Sequence, residues 1–88
     1  MKLKDGFMLH EVDGEYMVVA TGKAAEHFNG LIRNNKTANF IYQQLLEETT
    51  EEAIIEAMLQ KYEAQREKIA EDVHNIITQM RNAGLLEE

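Results

Sequence analysis

The sequence predicts an α+β fold of winged-helix type, in which a three-stranded antiparallel sheet is followed by a three-helix bundle. Two patterns carry this prediction. β-branched, aromatic and methionine residues dominate residues 7–20 and are interrupted by an Asp-Gly pair, as in a β-hairpin. From residue 37 onward, apolar residues recur at helical spacing, as in amphipathic helices. The 88 residues are expected to form one domain, 1–88.

The first two strands are predicted from the turn between them. Phe7–Val12 and Glu15–Ala20 flank Asp13-Gly14. A type I′ turn needs a positive φ angle at both central residues, which Asp and Gly tolerate. A two-residue turn here also fixes the register, because it pairs the strands residue by residue outward from the turn. Both faces of the hairpin carry apolar side chains, which indicates a surface that another molecule covers.

A third, short strand is predicted at Gly30–Arg33, after a polar connector over residues 21–29. Residues 2–5 are expected to be a polar lead-in. Three strands with one short member leave at least one edge unpaired. Natural sheet edges are usually protected, so an open edge is a place where a partner strand can add.

Three helices follow the sheet. The first is expected over 37–46, after the turn-forming pair Asn34-Asn35. The second begins at a capping box formed by Thr49 and Glu52. The third runs over 66–83 and ends at Gly84, with the next two leucines folding back onto the core. The expected buried faces are Ala38, Ile41, Tyr42 and Leu45; Ile54, Ile55, Met58, Leu59 and Tyr62; and Ile69, Val73, Ile76, Ile77 and Met80.

Composition and charge exclude several classes of function. The net charge is −7, and no basic face of the kind that binds nucleic acid is present. There is no Cys, so disulfides and thiolate sites are excluded. No apolar run approaches the length of a membrane span, and the N-terminus lacks the apolar core of a signal peptide. The sequence therefore predicts a cytoplasmic protein without a nucleic-acid or membrane partner.

Catalytic and metal sites are not predicted. His10, His27 and His74 show no ligand spacing such as HExxH. The glycines form neither a dinucleotide fingerprint nor a phosphate loop. The carboxylates lie on solvated helix faces, and no pair stands out in an apolar setting. We therefore expect no enzyme activity, no metal and no cofactor.

The ordered motifs resemble a known family. They read GFxLxEVxGEYMVV, FNGLIRNNKTANFIYQQL, TTEEAIIEAMLQKY and EDVHNIITQMRNAGLL, and they span Gly6 to Leu86. This set is similar to the PqqD-like proteins, which recognise the precursor peptides of ribosomally synthesised, post-translationally modified natural products. The most specific parts are the Asn35-x-Thr37 turn and the close of the third helix at Gly84. The family's fold, three strands and three helices of winged-helix type, agrees with the pattern.

The resemblance implies a peptide-binding module that is not an enzyme. In the family, the leader part of a precursor peptide adds as a strand beside the third strand, in a groove walled by the third helix. Carried over position by position, the implied peptide-binding residues are Gly30, Leu31, Ile32, Arg33, Val73, Ile77, Met80 and Arg81. The family pattern has an apolar residue at position 34. Asn34 is therefore expected to shorten the third strand or shift its pairing.

The partners implied are a precursor peptide and a separate modifying enzyme, such as a radical SAM maturase with an iron–sulfur cluster. The open edge could also pair with a second copy of the chain, so a homodimer is left open. Two other functions remain at this stage. One is a winged-helix DNA-binding regulator, although residues 66–81 hold three basic residues against three acidic ones. The other is a small non-catalytic subunit of another complex.

Overall fold

The computed structural model describes residues 1–27 and 31–88, with the backbone alone at position 27. Within this part of the chain, five strands and four helices follow one another. They are β1 (Lys2–Leu3), β2 (Phe7–Val12), β3 (Glu15–Ala20), α1 (Ala24–His27), β4 (Leu31–Asn34), α2 (Lys36–Gln44), α3 (Glu51–Lys61), α4 (Arg66–Asn82) and β5 (Leu86–Glu87). The strands form a three-stranded sheet in the order β2-β3-β4 and a two-stranded sheet of β1 and β5. The α+β prediction is confirmed.

The hairpin has the predicted turn and the predicted register. Asp13 and Gly14 have φ angles of 52° and 81°, as a type I′ turn requires. The strands β2 and β3 pair from Val12 opposite Glu15 outward to the end of both strands. Local turn chemistry was therefore sufficient to set this part of the sheet.

The third strand of this sheet extends one residue further than predicted at its C-terminal end. β4 runs from Leu31 to Asn34, antiparallel to β3; Gly30, the predicted first residue, lies outside the described residues. The expectation that Asn34 shortens the strand was wrong, because Asn34 pairs with Tyr16 at the end of the ladder. Strand pairing uses the backbone, so a polar side chain at this position does not prevent it.

Two segments carry structure that the sequence did not predict. The expected polar lead-in contains β1, which pairs Lys2 with Glu87 and Leu3 with Leu86. Leu3 is 3% exposed, so this segment is part of the core. The expected connector contains the single helical turn α1. The pairing of β1 with β5 depends on contacts between distant parts of the chain, which periodicity within either segment does not report.

The helices lie close to their predicted positions, but the start of α3 differs. Thr50, not Thr49, is the N-cap, and its Oγ1 accepts a hydrogen bond from the Ala53 backbone N–H at 3.1 Å. The predicted capping box of Thr49 and Glu52 was therefore wrong by one residue. α2 is capped as the sequence suggested, since Asn35 Oδ1 accepts from the Ala38 N–H at 2.7 Å.

The core lies between the three long helices and one face of the larger sheet. Val18 of the central strand is fully buried. Gly84 has a φ angle of 77° and ends α4 in the left-handed conformation that glycine tolerates. Leu85 and Leu86 then return to the core, as predicted. The most deeply buried side chains of the helices and of the residue that caps α2 are Ile41, Leu45, Ile54, Met58, Val73, Ile77 and Met80.

Candidate peptide-binding site

Strand β4 is an open edge of the larger sheet. Within residues 1–27 and 31–88 it pairs with β3 on one side only. The strand β2 is the other edge of the sheet. β4 leads into α2 through Asn35, and Asn35 contributes to a hollow that α4 also lines. An additional strand beside β4 would therefore lie near α4.

The direction of the backbone groups along β4 follows from the hairpin. In a two-residue hairpin, the residues that flank the turn form a hydrogen-bonded pair, and the pairing alternates along the strands. The observed register therefore directs the backbone groups of Ile32 and Asn34 toward β3. The N–H and C=O groups of Leu31 and Arg33 point to the open side. These are the groups that a further strand would bind.

The side chains of β4 alternate between the two faces of the sheet. Leu31 and Arg33 are exposed, whereas Ile32 packs against the core and Asn34 is half-buried. Leu31 is 49% exposed and lies in a cross-strand row with Val19 and Met8. The open backbone groups of β4 thus lie between the apolar row on the outer face of the sheet and the core on its inner face.

Three of the predicted wall residues belong to the core. Val73, Ile77 and Met80 are 0%, 0% and 1% exposed, because they lie on the face of α4 that packs against the rest of the protein. A peptide on the surface cannot touch such side chains unless the helix moves. The structure therefore places these three side chains behind the surface of α4. It does not bring them together with Leu31 or Arg33.

Arg81 lies on another side of α4. Its Nε and Nη2 donate to the two carboxylate oxygens of Glu88 at 2.9 and 2.7 Å. These hydrogen bonds raise the pKa of Arg81 and hold the pKa of Glu88 below its usual value. At about 100° per residue, Arg81 points about 180° away from Asp72. The structure does not bring this predicted contact residue to the edge strand.

A different stripe of α4 borders the hollows near the sheet. Asp72, Ile76 and Ala83 follow one another at helical spacing, and each lines a hollow. The first, here called the polar hollow, has a volume of about 230 Å³ and is lined by Asn35, Thr37, Asp72, Asn75 and Ile76. Ile76 is partly buried against the core, and the sequence had placed it on the buried face. The sequence does not separate Ile76 from Ile77, because both are apolar and adjacent, so this stripe was not predicted.

The second hollow lies at the C-terminal end of the same helix. It has a volume of about 410 Å³ and is here called the lysine-rimmed hollow. Its lining residues come from the segment before β2, from α1 and from the end of α4; they are Lys4, Asp5, Phe7, Lys23, Ala24, Ala83 and Gly84. The sequence did not predict this hollow, because its walls come from three separate parts of the chain.

Comparison with protein-family models decides the family. The model of coenzyme PQQ synthesis protein D (PqqD) matches residues 6–86. The chain belongs to the PqqD family. The resemblance expected from the ordered motifs is thereby confirmed, over the range that the motifs indicated. A search of curated proteins found no match to this chain.

Two solved structures have the same fold as this PqqD-family chain. The structure of TbiB1 in complex with the TbiA(beta) leader peptide is 21% identical, with a TM-score of 0.77, and the match covers 99% of this chain and 95% of that one. A lasso peptide synthetase B1 complexed with the leader peptide is 17% identical, with a TM-score of 0.74, and the match covers 99% and 96%. At these identities the similarity is one of fold.

The basic side chains of α4 in this PqqD-family chain are all paired with carboxylates. Arg66 contacts Glu52 and Glu56 on α3. The hydrogen bond that Lys68 Nζ donates to Asp72 at 3.1 Å raises the pKa of Lys68. Because Arg81 is paired with Glu88, each of the three basic side chains of α4 has a carboxylate partner. This surface does not match the phosphate backbone of DNA.

Two further features bear on function in this PqqD-family chain. Within the part of the chain that the structure describes, no three His, Cys, Asp or Glu side chains come together as a metal site. Over the same residues, none of the helices has the length and apolar character that crossing a bilayer requires. The described surface that stands out is the open edge beside the two hollows.

Proposed function

We propose that this chain binds the leader region of a ribosomally synthesised precursor peptide by strand addition at β4 and presents it to a separate modifying enzyme. The observation that carries the proposal is the open edge of β4, which ends immediately before Asn35, a residue that lines the polar hollow beside α4. Membership of the PqqD family supports it. Two proteins of the same fold were solved with leader peptides bound.

Binding would combine backbone and side-chain contacts. The outward N–H and C=O groups of Leu31 and Arg33 pair with the peptide backbone, which gives affinity with little demand on sequence. Alternate peptide side chains then face α4, where Ile76 and the hollows receive them. The buried side chains Val73, Ile77 and Met80 support this wall from behind and define its shape. We propose that Gly30, which lies outside the described residues, also contacts the peptide.

The remaining peptide side chains would face away from α4 and continue the row that ends at Leu31. A modifying enzyme could reach them there. Capture by this chain holds the rest of the precursor near that enzyme at a high effective concentration. We propose a radical SAM maturase as this enzyme, the cytoplasm as the place of action and residues 1–88 as one functional domain; the chain itself contributes binding and no catalysis.

The open edge could also pair with a second copy of the chain. In this proposal such a homodimer competes with the peptide, because both use the same backbone groups. The DNA-binding alternative is not favoured, because Arg66, Lys68 and Arg81 each contact a carboxylate. The function is therefore assigned to a peptide and not to nucleic acid.

The experiment that tests the proposal replaces an outward-facing residue of β4 with proline. Arg33→Pro removes one N–H from the open side without removing a hydrogen bond to β3, and the proline ring obstructs an added strand. We expect the precursor peptide encoded beside the gene to bind the variant about tenfold more weakly or not at all, since a hydrogen bond contributes about 1 kcal/mol and the ring adds a clash. Binding is measured by calorimetry and by amide NMR shifts.

Arg33→Ala is the matched control, because it removes the same side chain and keeps the N–H. It should bind the peptide within a small factor of the unmodified chain. Amide spectra of the Arg33→Pro variant report whether the helices remain folded. Equal binding by the folded Arg33→Pro variant and the parent chain would mean that the peptide does not add to this edge.

A further inference from the structure

Strand addition by itself does not determine which peptide residue faces which position on the protein. Backbone hydrogen bonds repeat every second residue, so a bound strand can shift by two residues and form the same bonds. A leader that is held in one register therefore needs a side-chain anchor. This inference rests on the proposed function, and it concerns the place and chemistry of that anchor.

The lysine-rimmed hollow has the size and shape of an anchor site. At about 410 Å³ it falls within the range of small-ligand pockets. Phe7 and Ala24, which are partly buried, give it an apolar floor, and Ala83, which is exposed, adds apolar surface at its edge. An apolar side chain of a peptide would fill this floor.

The walls of the lysine-rimmed hollow are held together by close contacts. The Gly6 carbonyl accepts hydrogen bonds from Thr21 N and Thr21 Oγ1 at 2.6 and 2.9 Å. Gly6 also packs so closely on α1 that a Cβ at this position would lie 2.8 Å from the Cβ of Ala24. The segment before β2 and the helical turn α1 are thereby joined, and the hollow between them has a defined shape.

The rim of this hollow carries positive charge in a chain of net charge −7. Lys4 and Lys23 are both exposed, and among the described residues neither forms an ion pair. Asp5, the one acidic residue of the lining, lies 3.8 Å from Lys2. A carboxylate next to the anchoring side chain would therefore find two lysines available.

The polar hollow beside the middle of α4 has the opposite character. Its charged lining residue is Asp72, and its other polar lining residues are Asn35, Thr37 and Asn75. From Asp72 to Ala83 the helix rises about 17 Å, at 1.5 Å per residue. An extended peptide covers that distance with about five residues, at 3.3 Å each. A leader beside β4 is thus long enough to reach both hollows.

We propose that the lysine-rimmed hollow fixes the register of the bound leader by taking an apolar side chain that lies two positions from an acidic residue, so that both side chains share one face of the strand. The apolar side chain rests on Phe7, Ala24 and Ala83, and the carboxylate lies between Lys4 and Lys23. The polar hollow receives an uncharged polar or basic residue about four or six positions away, because residues on one face of a strand lie at even separations and the helix rise corresponds to about five residues. The leader class predicted is therefore an extended segment with a Leu-x-Glu anchor at one end, here called the Leu-Glu anchor.

The test uses three synthetic peptides in one host sequence of alternating Thr and Val, with blocked ends. At the centre they carry Leu-x-Glu, Leu-x-Lys or Ala-x-Glu, where x is a host residue, and they are called Leu-Glu, Leu-Lys and Ala-Glu. They are titrated into the full chain with amide NMR detection. We expect Leu-Glu to bind about fivefold more tightly than Leu-Lys, in line with exposed ion pairs. Ala-Glu should bind at least about tenfold more weakly than Leu-Glu, because it buries less apolar surface. The Leu-Glu peptide should shift the amides of Ala24, Ala83 and Gly84.

A charge-reversed protein sharpens the test. Lys4→Glu combined with Lys23→Glu should reverse the preference between Leu-Glu and Leu-Lys, and high salt should reduce it in both proteins. Lys36→Glu is the control, because it reverses an exposed lysine just beyond the other end of β4. This control should leave the Leu-Glu preference in place, which separates the rim from net charge.

The outcomes distinguish the anchor from the proposed function. If all three peptides shift the amides of β4 with equal affinity, the anchor is wrong and strand addition stands. If the peptides shift α1 and the end of α4 but never β4, binding is real and the strand-addition proposal fails. If none of the peptides, and no leader encoded beside the gene, shifts either region, both proposals are overturned.

Discussion

One hydroxyl decides where helix α3 begins. Two adjacent threonines precede the helix, and both fit the preference of an N-cap. In the structure Thr50 has extended backbone angles and accepts a hydrogen bond from Ala53. Thr49 instead joins the segment near β1, where its N–H donates to the Met1 carbonyl at 3.0 Å. The sequence could not distinguish the two, because the choice depends on that distant contact.

The cap can be tested with the two threonines as a matched pair. Thr50→Ala should lower the free energy of unfolding by about 1 kcal/mol, because the N–H of Ala53 loses its partner. Thr49→Ala should have a much smaller effect, since its side chain does not cap the helix. Urea denaturation followed by circular dichroism measures both. A larger loss in Thr49→Ala than in Thr50→Ala would restore the capping box expected from the sequence.

At the scale of elements, α4 serves two purposes on adjacent faces. Val73, Ile77 and Met80 pack into the core, whereas Asp72, Ile76 and Ala83 border the hollows. The apolar period of the sequence identified the helix and its buried face. It did not separate Ile76 from Ile77, because both are apolar and adjacent. Which of the two faces the groove depends on the angle at which the helix packs against the sheet.

Substitution of these neighbours separates stability from binding. Ile77→Ala should lower the free energy of unfolding by about 2–5 kcal/mol, because it creates a cavity in the core. Ile76→Ala should cost less stability, since Ile76 is partly exposed, and should weaken binding of the encoded precursor peptide by up to about tenfold. Thermal denaturation and calorimetric titration measure the two effects. If Ile76→Ala leaves peptide affinity unchanged, the stripe of Asp72, Ile76 and Ala83 is not the peptide-facing wall.

At the scale of the whole molecule, β1 and β5 bring the two ends of the described chain together. Leu3 donates a backbone hydrogen bond to Leu45 at 2.7 Å, and Lys4 donates one to Leu85 at 2.9 Å. The ends thus hold α2 and the close of α4 in place. Just beyond β5, Glu88 accepts both hydrogen bonds from Arg81. The ion pair between Arg81 and Glu88 on the surface therefore forms only when β5 and the end of α4 are folded together.

The Arg81–Glu88 ion pair predicts that the stability of the protein changes with pH in the acidic range. Hydrogen bonding to Arg81 holds the pKa of Glu88 below its ordinary value of 4.5. A carboxyl group with a lowered pKa in the folded state stabilises the protein above its unfolded pKa, and this contribution is lost as the pH falls through the folded pKa. Glu88→Gln should therefore lower the urea midpoint at neutral pH slightly and should reduce the further loss in acid.

Glu87→Gln is the control for this measurement, because it removes the same charge from an exposed position without an ion pair in the described residues. Its unfolding midpoint should follow the pH profile of the parent chain. The effect of Glu88→Gln should be small, since exposed pairs are screened by solvent and salt. Identical pH profiles for both variants would show that the pair contributes nothing to stability.

Features that depend on neighbouring residues could be predicted from the sequence alone. Asp13-Gly14 set the turn and register of the hairpin, and apolar periodicity set the buried faces of the helices. The ordered motifs also led to the PqqD family. These predictions succeeded because turn geometry and helical period act over a few residues.

The surface that is left open for a partner depends instead on how distant segments of the chain pack together. The tertiary structure joined β1 to β5, placed α1 beside Gly6 and turned Ile76, not Ile77, toward the polar hollow. The lysine-rimmed hollow exists because Lys4, Lys23 and Ala83 meet from three separate segments. Contacts of this kind depend on the angles at which whole elements pack, and no local pattern in the sequence specifies those angles.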